Sequence, residues 1–302
     1  MKDKIDDYLK YLKVQRNYSN YTIENYNEDL IFFKSYLEKE NLDYTKIEYK
    51  DIRTFFNFLD ENKYSKNTIS RKISAIRSFY KYLARNNYIS YNPFSLVSSP
   101  KKDQKLPKFL YYNELEVLFN VPDLNTPLGI RNRLILELLY ATGMRVGELE
   151  NIKIEDINFN EETIKILGKG NKERICYFTD CAKKYLKLYI EKSRPILLNN
   201  KKNIEYLLLN HNGTKLTSRG IRLIINDIID KSSLDTKISP HTLRHTFATH
   251  LLNEGCDILS VQELLGHESL KATQIYTHIT NEGLRNVYFK SHPRNSKKIK
   301  GE

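Results

Sequence analysis

Between Asn92 and Leu110 the chain reads NPFSLVSSPKKDQKLPKFL, with three prolines, three serines and four lysines and neither a helical nor a strand period. Proline lacks a backbone donor and pushes the residue before it out of the helical region, so this stretch predicts an extended connection. The residues on either side must then bury their apolar groups separately. A length of 302 residues suffices for about two domains of ordinary size. The spacing predicts a first domain over 1–98, a linker over 99–107, a second domain over 108–292 and a basic tail without fixed structure over 293–302.

The first hundred residues read as short amphipathic helices. In NYTIENYNEDLIFFKSYLEKENL, Ile23, Tyr26, Leu30, Phe33 and Leu37 recur at helical spacing, with Glu24, Glu28, Asp29 and Lys34 assigned to the other side. In KNTISRKISAIRSFYKYLARNN the apolar stripe is Ile69, Ile73, Ile76, Tyr80 and Leu83. Arg71, Lys72, Arg77 and Lys81 would form a basic face able to follow DNA phosphates. A solvated helix surface would look the same.

Past the linker, YNELEVLFN and PLGIRNRLILELLYATG read as helices, the second stopped at Thr142-Gly143. ETIKIL and RICYF read as strands joined through GKGNKE, a hairpin with Lys169 at its tip. The remainder reads as helical, and no internal repeat is visible. The fold class expected is mainly α with a small antiparallel β-sheet.

Forty-nine Lys and Arg against 37 Asp and Glu give a formal charge of +12, which favours a polyanionic partner, nucleic acid foremost. Cys176, Cys181 and Cys256 form no CxxC pair, the N-terminal MKDKIDDYLKYL has no apolar run, and no apolar window is long enough to cross a bilayer. A reduced, cytoplasmic protein without a membrane role is expected.

The stretch SPHTLRHTFATHLLNEG carries the densest chemistry. Ser239 suits an N-cap and Pro240 the first helical position, with Leu243, Phe247 and Leu251 on one buried face. His241 and Arg244 are neighbours in the first turn, where free amides and the helix dipole favour an anion. His241 and His245 also stand at the spacing of paired zinc ligands, but HTLRH lacks the glutamate of HExxH and sets an arginine beside the site. A polar helix start without function is the remaining alternative.

Further segments add to the phosphate reading. Arg145 follows a glycine helix stop in ATGMRVGELENI, and Glu148 one turn on is placed to hold its guanidinium. In SVQELLGHESLKATQIYTHIT, His267 follows Gly266 and Tyr276 falls in the next short helix. Arg145, Lys169, His241, Arg244, His267 and Tyr276 together suit phosphodiester transfer. Paired guanidiniums stabilise a pentacoordinate phosphate, a lysine protonates the leaving 5′ oxygen, and histidines hold phosphate or move protons. A tyrosine phenol, with a pKa of about 10 and only about 0.1% ionised at neutral pH, needs such a cationic setting to attack. The sequence offers no paired-metal carboxylate cluster and no GxxxxGK[ST] loop, so no cofactor is expected.

The strings ATGMRVGELENI, LGKGNKER, HTLRHTFATHLLNEGCDILSVQELLGHESLKATQIYTH and LRNVYFKSHPR resemble the tyrosine recombinases and integrases, and within them the Xer type. The resemblance covers nearly the whole chain. It implies an N-terminal helical core-binding domain and a C-terminal mixed α/β catalytic domain closing as a C-shaped clamp on duplex DNA. It further implies Tyr276 as nucleophile, Arg145, Arg244, His241 and His267 around the scissile phosphate, and Lys169 as general acid. Implied partners are a specific DNA site, a homo- or hetero-tetramer on two sites exchanging strands through a Holliday junction, a second Xer-type recombinase and a septal DNA translocase. The expected role is resolving chromosome or plasmid dimers. A phage or mobile-element integrase or invertase shares the chemistry, a type IB topoisomerase shares the nucleophile, and a DNA-binding regulator without catalysis is the rival from another class.

Overall fold

The computed structural model describes residues 1–98, 108–168, 173–199, 201, 204–234, 238–266 and 281–295. The chain divides into two compact units, Met1–Lys105 and Leu106–Glu302. The expected linker 99–107 lies outside the described residues.

The first unit holds four helices, α1 (Lys2–Val14), α2 (Asn20–Lys39), α3 (Tyr49–Glu61) and α4 (Lys66–Arg85). Ser19 and Ser65 cap α2 and α4 by accepting from the amides of Thr22 and Thr68. The core mixes isoleucines and leucines with many aromatic rings. Tyr8, Phe33, Phe55, Phe79, Tyr80 and Phe94 are fully buried, and edge-to-face pairs such as Phe33 with Phe55, 4.9 Å between centroids, fill it. Two of the buried phenols have partners, Tyr8 donating to Ser78 Oγ at 2.7 Å and Tyr80 to the Tyr44 carbonyl at 2.8 Å, while the Tyr36 hydroxyl has none among the described residues.

Two assignments on this unit need correction. Asp29, placed with the polar side of α2, is buried beside Leu30 and Phe33. Lys72, placed on a basic face, is buried too, three residues from Ile69 and on its side of α4. Each makes the other tolerable. Lys72 Nζ lies 3.1 Å from Asp29 Oδ1 and 3.8 Å above the Phe32 ring, while Arg71 binds the second carboxylate oxygen from the solvent side. Arg77 is half-buried and donates to the carbonyls of Phe94 and Val97, so it ties the unit's last segment to α4. Only Lys81 and part of Arg71 remain exposed from the expected basic face.

The second unit runs α5 (Tyr112–Asn120), α6 (Pro127–Thr142), α7 (Val146–Glu150), a 3-10 turn Ile154–Asp156, β1 (Ile157–Asn158), β2 (Thr163–Leu167), β3 (Glu173–Tyr177) and α8 (Asp180–Leu188). A π turn then leads into α9 (Arg194–Leu198), followed by α10 (Ser218–Lys231), α11 (Pro240–Asn253), α12 (Ile258–Leu265) and α13 (Asn281–Ser291). The strands form one antiparallel sheet in the order β1-β2-β3, with Ile164 opposite Cys176. β1 is two residues long, too short for a strand period. The stretch 204–216, expected to be helical, instead forms two short extended segments about a turn at 210–214, Leu207 N bonding to Ile152 O at 2.8 Å and Leu209 bridging to Lys215. Its leucines at 207, 208 and 209 are all buried, a run that suits a covered extended segment.

α6 is buried on nearly every face and forms the axis of this unit. Its polar residues are neutralised inside: Glu137 pairs with Arg133 and with Arg294, each at 2.9 Å. Arg294 and Asn295, expected to open an unstructured tail, are therefore held, Asn295 also donating to Phe289 O at 2.6 Å. The helix ends where Gly143 takes φ +59, and a Cβ there would stand 2.5 Å from Phe247 Cδ1.

Removing one partner of a buried ion pair strands the other charge and costs about 3 to 5 kcal/mol. Asp29→Ala is expected to abolish hydrogen-exchange protection along α2 and α4. A second change, Lys72→Met, is expected to restore most of it; protection unchanged in the single variant would mean the pair holds nothing.

Candidate active site

The turn after α6 sets the first site residue. Arg145 is the N-cap of α7, and Glu148 three residues on closes the turn, its carboxylate accepting the Arg145 amide at 2.7 Å and the Arg145 guanidinium at 2.9 Å. A local capping interaction thereby fixes the arginine's backbone and its side chain together. Arg145 stays half-exposed, with donors left over for a ligand.

α11 supplies the next two. Ser239 accepts from Thr242 N at 3.2 Å, and Thr242 Oγ1 accepts from Ser239 N at 3.0 Å, so the helix begins at Pro240. His241 is exposed in the first turn. Arg244 is buried and donates to two helix ends, the Gly143 carbonyl after α6 and, at 2.8 Å, the Leu265 carbonyl of α12. Burial, followed by the nearby charges of Arg145 and Arg174, pushes its pKa down to about 10. It remains a cation at neutral pH.

Arg145, Glu148, His241 and Arg244 line one cleft of about 460 Å³, together with Leu167, Gly168 and Arg222. Such a volume suits a nucleotide-sized group. Glu148 is the cleft's one acidic side chain among the described residues, and it is engaged by Arg145 and Arg174, so the surface left for a ligand is cationic. Lys169, His267 and Tyr276 lie outside the described residues; Gly168, which precedes the lysine in sequence, borders the cleft.

Residues 108–282 match the phage integrase family, and residues 5–87 match the phage integrase N-terminal SAM-like domain. Tyrosine recombinase XerC of Anoxybacillus flavithermus is 50% identical over 289 residues, covering 95% of this chain and 96% of that protein. The chain belongs to the tyrosine recombinases of the phage integrase family. XerC of Bacillus subtilis is 47% identical over 293 residues, covering 96% of each. Among solved structures, XerH site-specific recombinase bound to palindromic difH substrate, in a post-cleavage complex, is 28% identical with a TM-score of 0.70 over 92% of this chain and 82% of that one.

Two arginines of this tyrosine recombinase, one lining the cleft and one bound to its carboxylate, escaped the sequence. Arg222 stands exposed on α10 at the cleft wall, and nothing in its helix distinguishes it from Arg219 three residues earlier. Arg174, second in β3, binds Glu148 at 2.8 Å and the Leu264 carbonyl at 2.6 Å. Strand alternation gives such an arginine no special status, because its partners are 26 and 90 residues distant.

Glu148 is the titratable hinge of the arrangement. Burial by itself raises its pKa, but the Arg174 charge, the Arg145 amide and both guanidiniums outweigh burial and hold it below the ordinary carboxylate value. A depressed folded-state pKa contributes stability that is complete above the unfolded value, about 4.3, and is lost as pH falls through the folded one. Glu148→Gln is therefore expected to melt below the wild type at neutral pH, with the gap closing as pH drops through this window. Thermal unfolding of both proteins across pH checks this; a gap independent of pH would remove the carboxylate's charge from the account.

Proposed function

We propose that this protein is a site-specific recombinase of the Xer type that breaks and rejoins duplex DNA through a covalent 3′-phosphotyrosyl intermediate, and that it resolves dimers of circular chromosomes or plasmids. The observation that carries the reading is the cleft in which Arg145, Arg222, Arg244 and His241 converge around a single, already engaged carboxylate. Such a site favours a phosphodiester and, more strongly, the extra negative charge of its transition state. The XerH structures hold that recombinase on its difH substrate, which supports duplex DNA as the ligand here.

In the proposed reaction the Tyr276 phenol passes its proton to a neighbouring histidine as its oxygen attacks the scissile phosphorus, and the bond from phosphorus to the 5′ oxygen breaks as the new phosphotyrosyl bond forms. Lys169 gives its proton to the departing 5′ oxygen. Arg145 and Arg244 bind the non-bridging oxygens, and His241 and His267 hold phosphate or relay protons. Because the phosphotyrosyl bond keeps the energy of the broken one, a 5′ hydroxyl from another duplex reverses the step. The matching sequence strings support the assignments of Lys169, His267 and Tyr276. Four subunits on two sites, a Holliday junction, a second Xer-type recombinase, a septal DNA translocase and a cytoplasmic location complete the proposal. Relatives named XerC at 45 to 50% identity favour this role over that of a mobile-element integrase.

Trapping on a nicked suicide substrate tests the chemistry. Wild type is expected to give an SDS-resistant protein–DNA adduct and Tyr276→Phe none, with DNA affinity nearly unchanged. Lys169→Ala is expected to cleave poorly until the bridging 5′ oxygen is replaced by sulfur, whose thiolate departs without a proton. Arg145→Ala, slowed by about 10²-fold or more, is expected to gain much less from sulfur. An adduct from Tyr276→Phe, or no sulfur rescue of Lys169→Ala, overturns the corresponding role.

The biological role has its own test. Mapping the DNA bound by the protein in its source genome is expected to find one site near the replication terminus. Many sites within mobile elements would instead make it an integrase.

A further inference from the structure

Arg174 binds the cleft's carboxylate, Glu148, without itself lining the cleft. Its guanidinium spans two acceptors from different parts of the chain, Glu148 Oε2 at 2.8 Å and the Leu264 carbonyl at 2.6 Å. The same guanidinium lies against Gly266, where a Cβ would stand 2.8 Å from Arg174 Cδ and 2.9 Å from Nε. Gly266 has φ +63, so glycine is suited there twice over, by backbone conformation and by the cation packed on it. On the far side of Glu148 sits Arg145, 2.9 Å from Oε1. One carboxylate thus joins the arginine that faces the cleft to an arginine that does not.

The end of α12 is gripped twice, Arg174 on the Leu264 carbonyl and Arg244 on the Leu265 carbonyl. In sequence the next residues are Gly266 and His267. A planar fork suits this bridging because its donors are fixed in direction on separate nitrogens, whereas a lysine carries its donors on one freely rotating ammonium.

We propose that Arg174 is the positioning residue of this site: through Glu148 it sets the Arg145 guanidinium, and through the Leu264 carbonyl it locks the end of α12 to the same carboxylate. The inference rests on the recombinase reading above. It makes β3, the Arg145 turn and the last turn of α12 one rigid assembly. Misplacing a charge-stabilising group by about 1 Å is enough to cost about 10²-fold in rate.

The test uses the full-length protein, single-turnover adduct formation on a nicked suicide substrate at saturating DNA, and rates followed across pH. Arg174→Gln is expected to lower the rate at neutral pH by at least about 10-fold, with DNA affinity changed little. It is also expected to create an acid limb between about pH 5 and 7, because Glu148 stays buried but loses a cationic neighbour. The charged and titratable groups around Glu148 are Arg145 on α7, Arg174 and the Cys176 thiol on β3, Arg244 and His241 on α11, and Arg222 on α10. Glu148→Gln in the same background is expected to abolish the limb, and Arg174→Gln is expected to add little to Glu148→Gln alone, as for residues acting through one another.

Arg174→Lys keeps a charge beside the buried carboxylate and guards against simple misfolding. It is expected to lose rate a few-fold without gaining the limb. A wild-type rate in the lysine variant, a pH-flat glutamine variant, or losses that multiply fully with Glu148→Gln would overturn the positioning role. If the wild type itself forms no adduct, it is the recombinase reading that fails.

Discussion

Three guanidiniums crowd one wall of the second unit, and a single carboxylate, Glu148, separates them. Arg145 and Arg174 bind it directly, and its charge favours the cation at Arg244 while the other two arginines oppose it. Without Glu148 the like charges would repel one another with no carboxylate between them. The carboxylate alone does not balance the cluster. The remaining stabilisation comes from the carbonyls of Gly143, Leu264 and Leu265, which lie at the C-terminal ends of α6 and α12 where the helix dipole is negative. Much of the unit's architecture serves to bring those two helix ends to one place.

This arrangement stores positive charge in a form the protein tolerates when no DNA is present. Carbonyl oxygens are weaker counter-charges than carboxylates, so they hold a guanidinium in place without cancelling its attraction for phosphate. Arg244 still has donors beyond those given to the two carbonyls, and Arg145 is half-exposed with donors to spare. The first unit treats its buried cation differently: Asp29 answers Lys72 in full and Phe32 covers it. The cation there is part of the core, while the cations of the second unit stay available.

What the sequence made legible follows from how far each signal reaches. The end of α6 at Gly143, the start of α11 at Ser239 and Pro240, and the pairing of Arg145 with Glu148 are set by residues within one turn of each other. Asp29 and Lys72 each look like a lone surface residue in sequence, because the partner that permits burial lies 43 residues away. Arg174 and Arg222 were missed for the same reason, since strand and helix periods mark which side a residue faces and not what waits there. The leucine run at 207–209 fits a helix as well as an extended segment, and only the pairing with Ile152 and Lys153 decides. Lys169, His267 and Tyr276, expected from their neighbours in sequence, fall outside the described residues.

The ties that shape the cleft join distant parts of the chain: Arg244 to Gly143 across 101 residues, Arg174 to Leu264 across 90, and Leu110 to Thr246 across 136. Contacts of such separation form only after long loops have closed. During synthesis the Arg145 turn leaves the ribosome long before the carbonyls of α12 exist to hold Arg174 and Arg244. A nascent or truncated chain therefore has the basic residues but not the assembled cleft, and so can adhere to DNA before it has any means of cutting it.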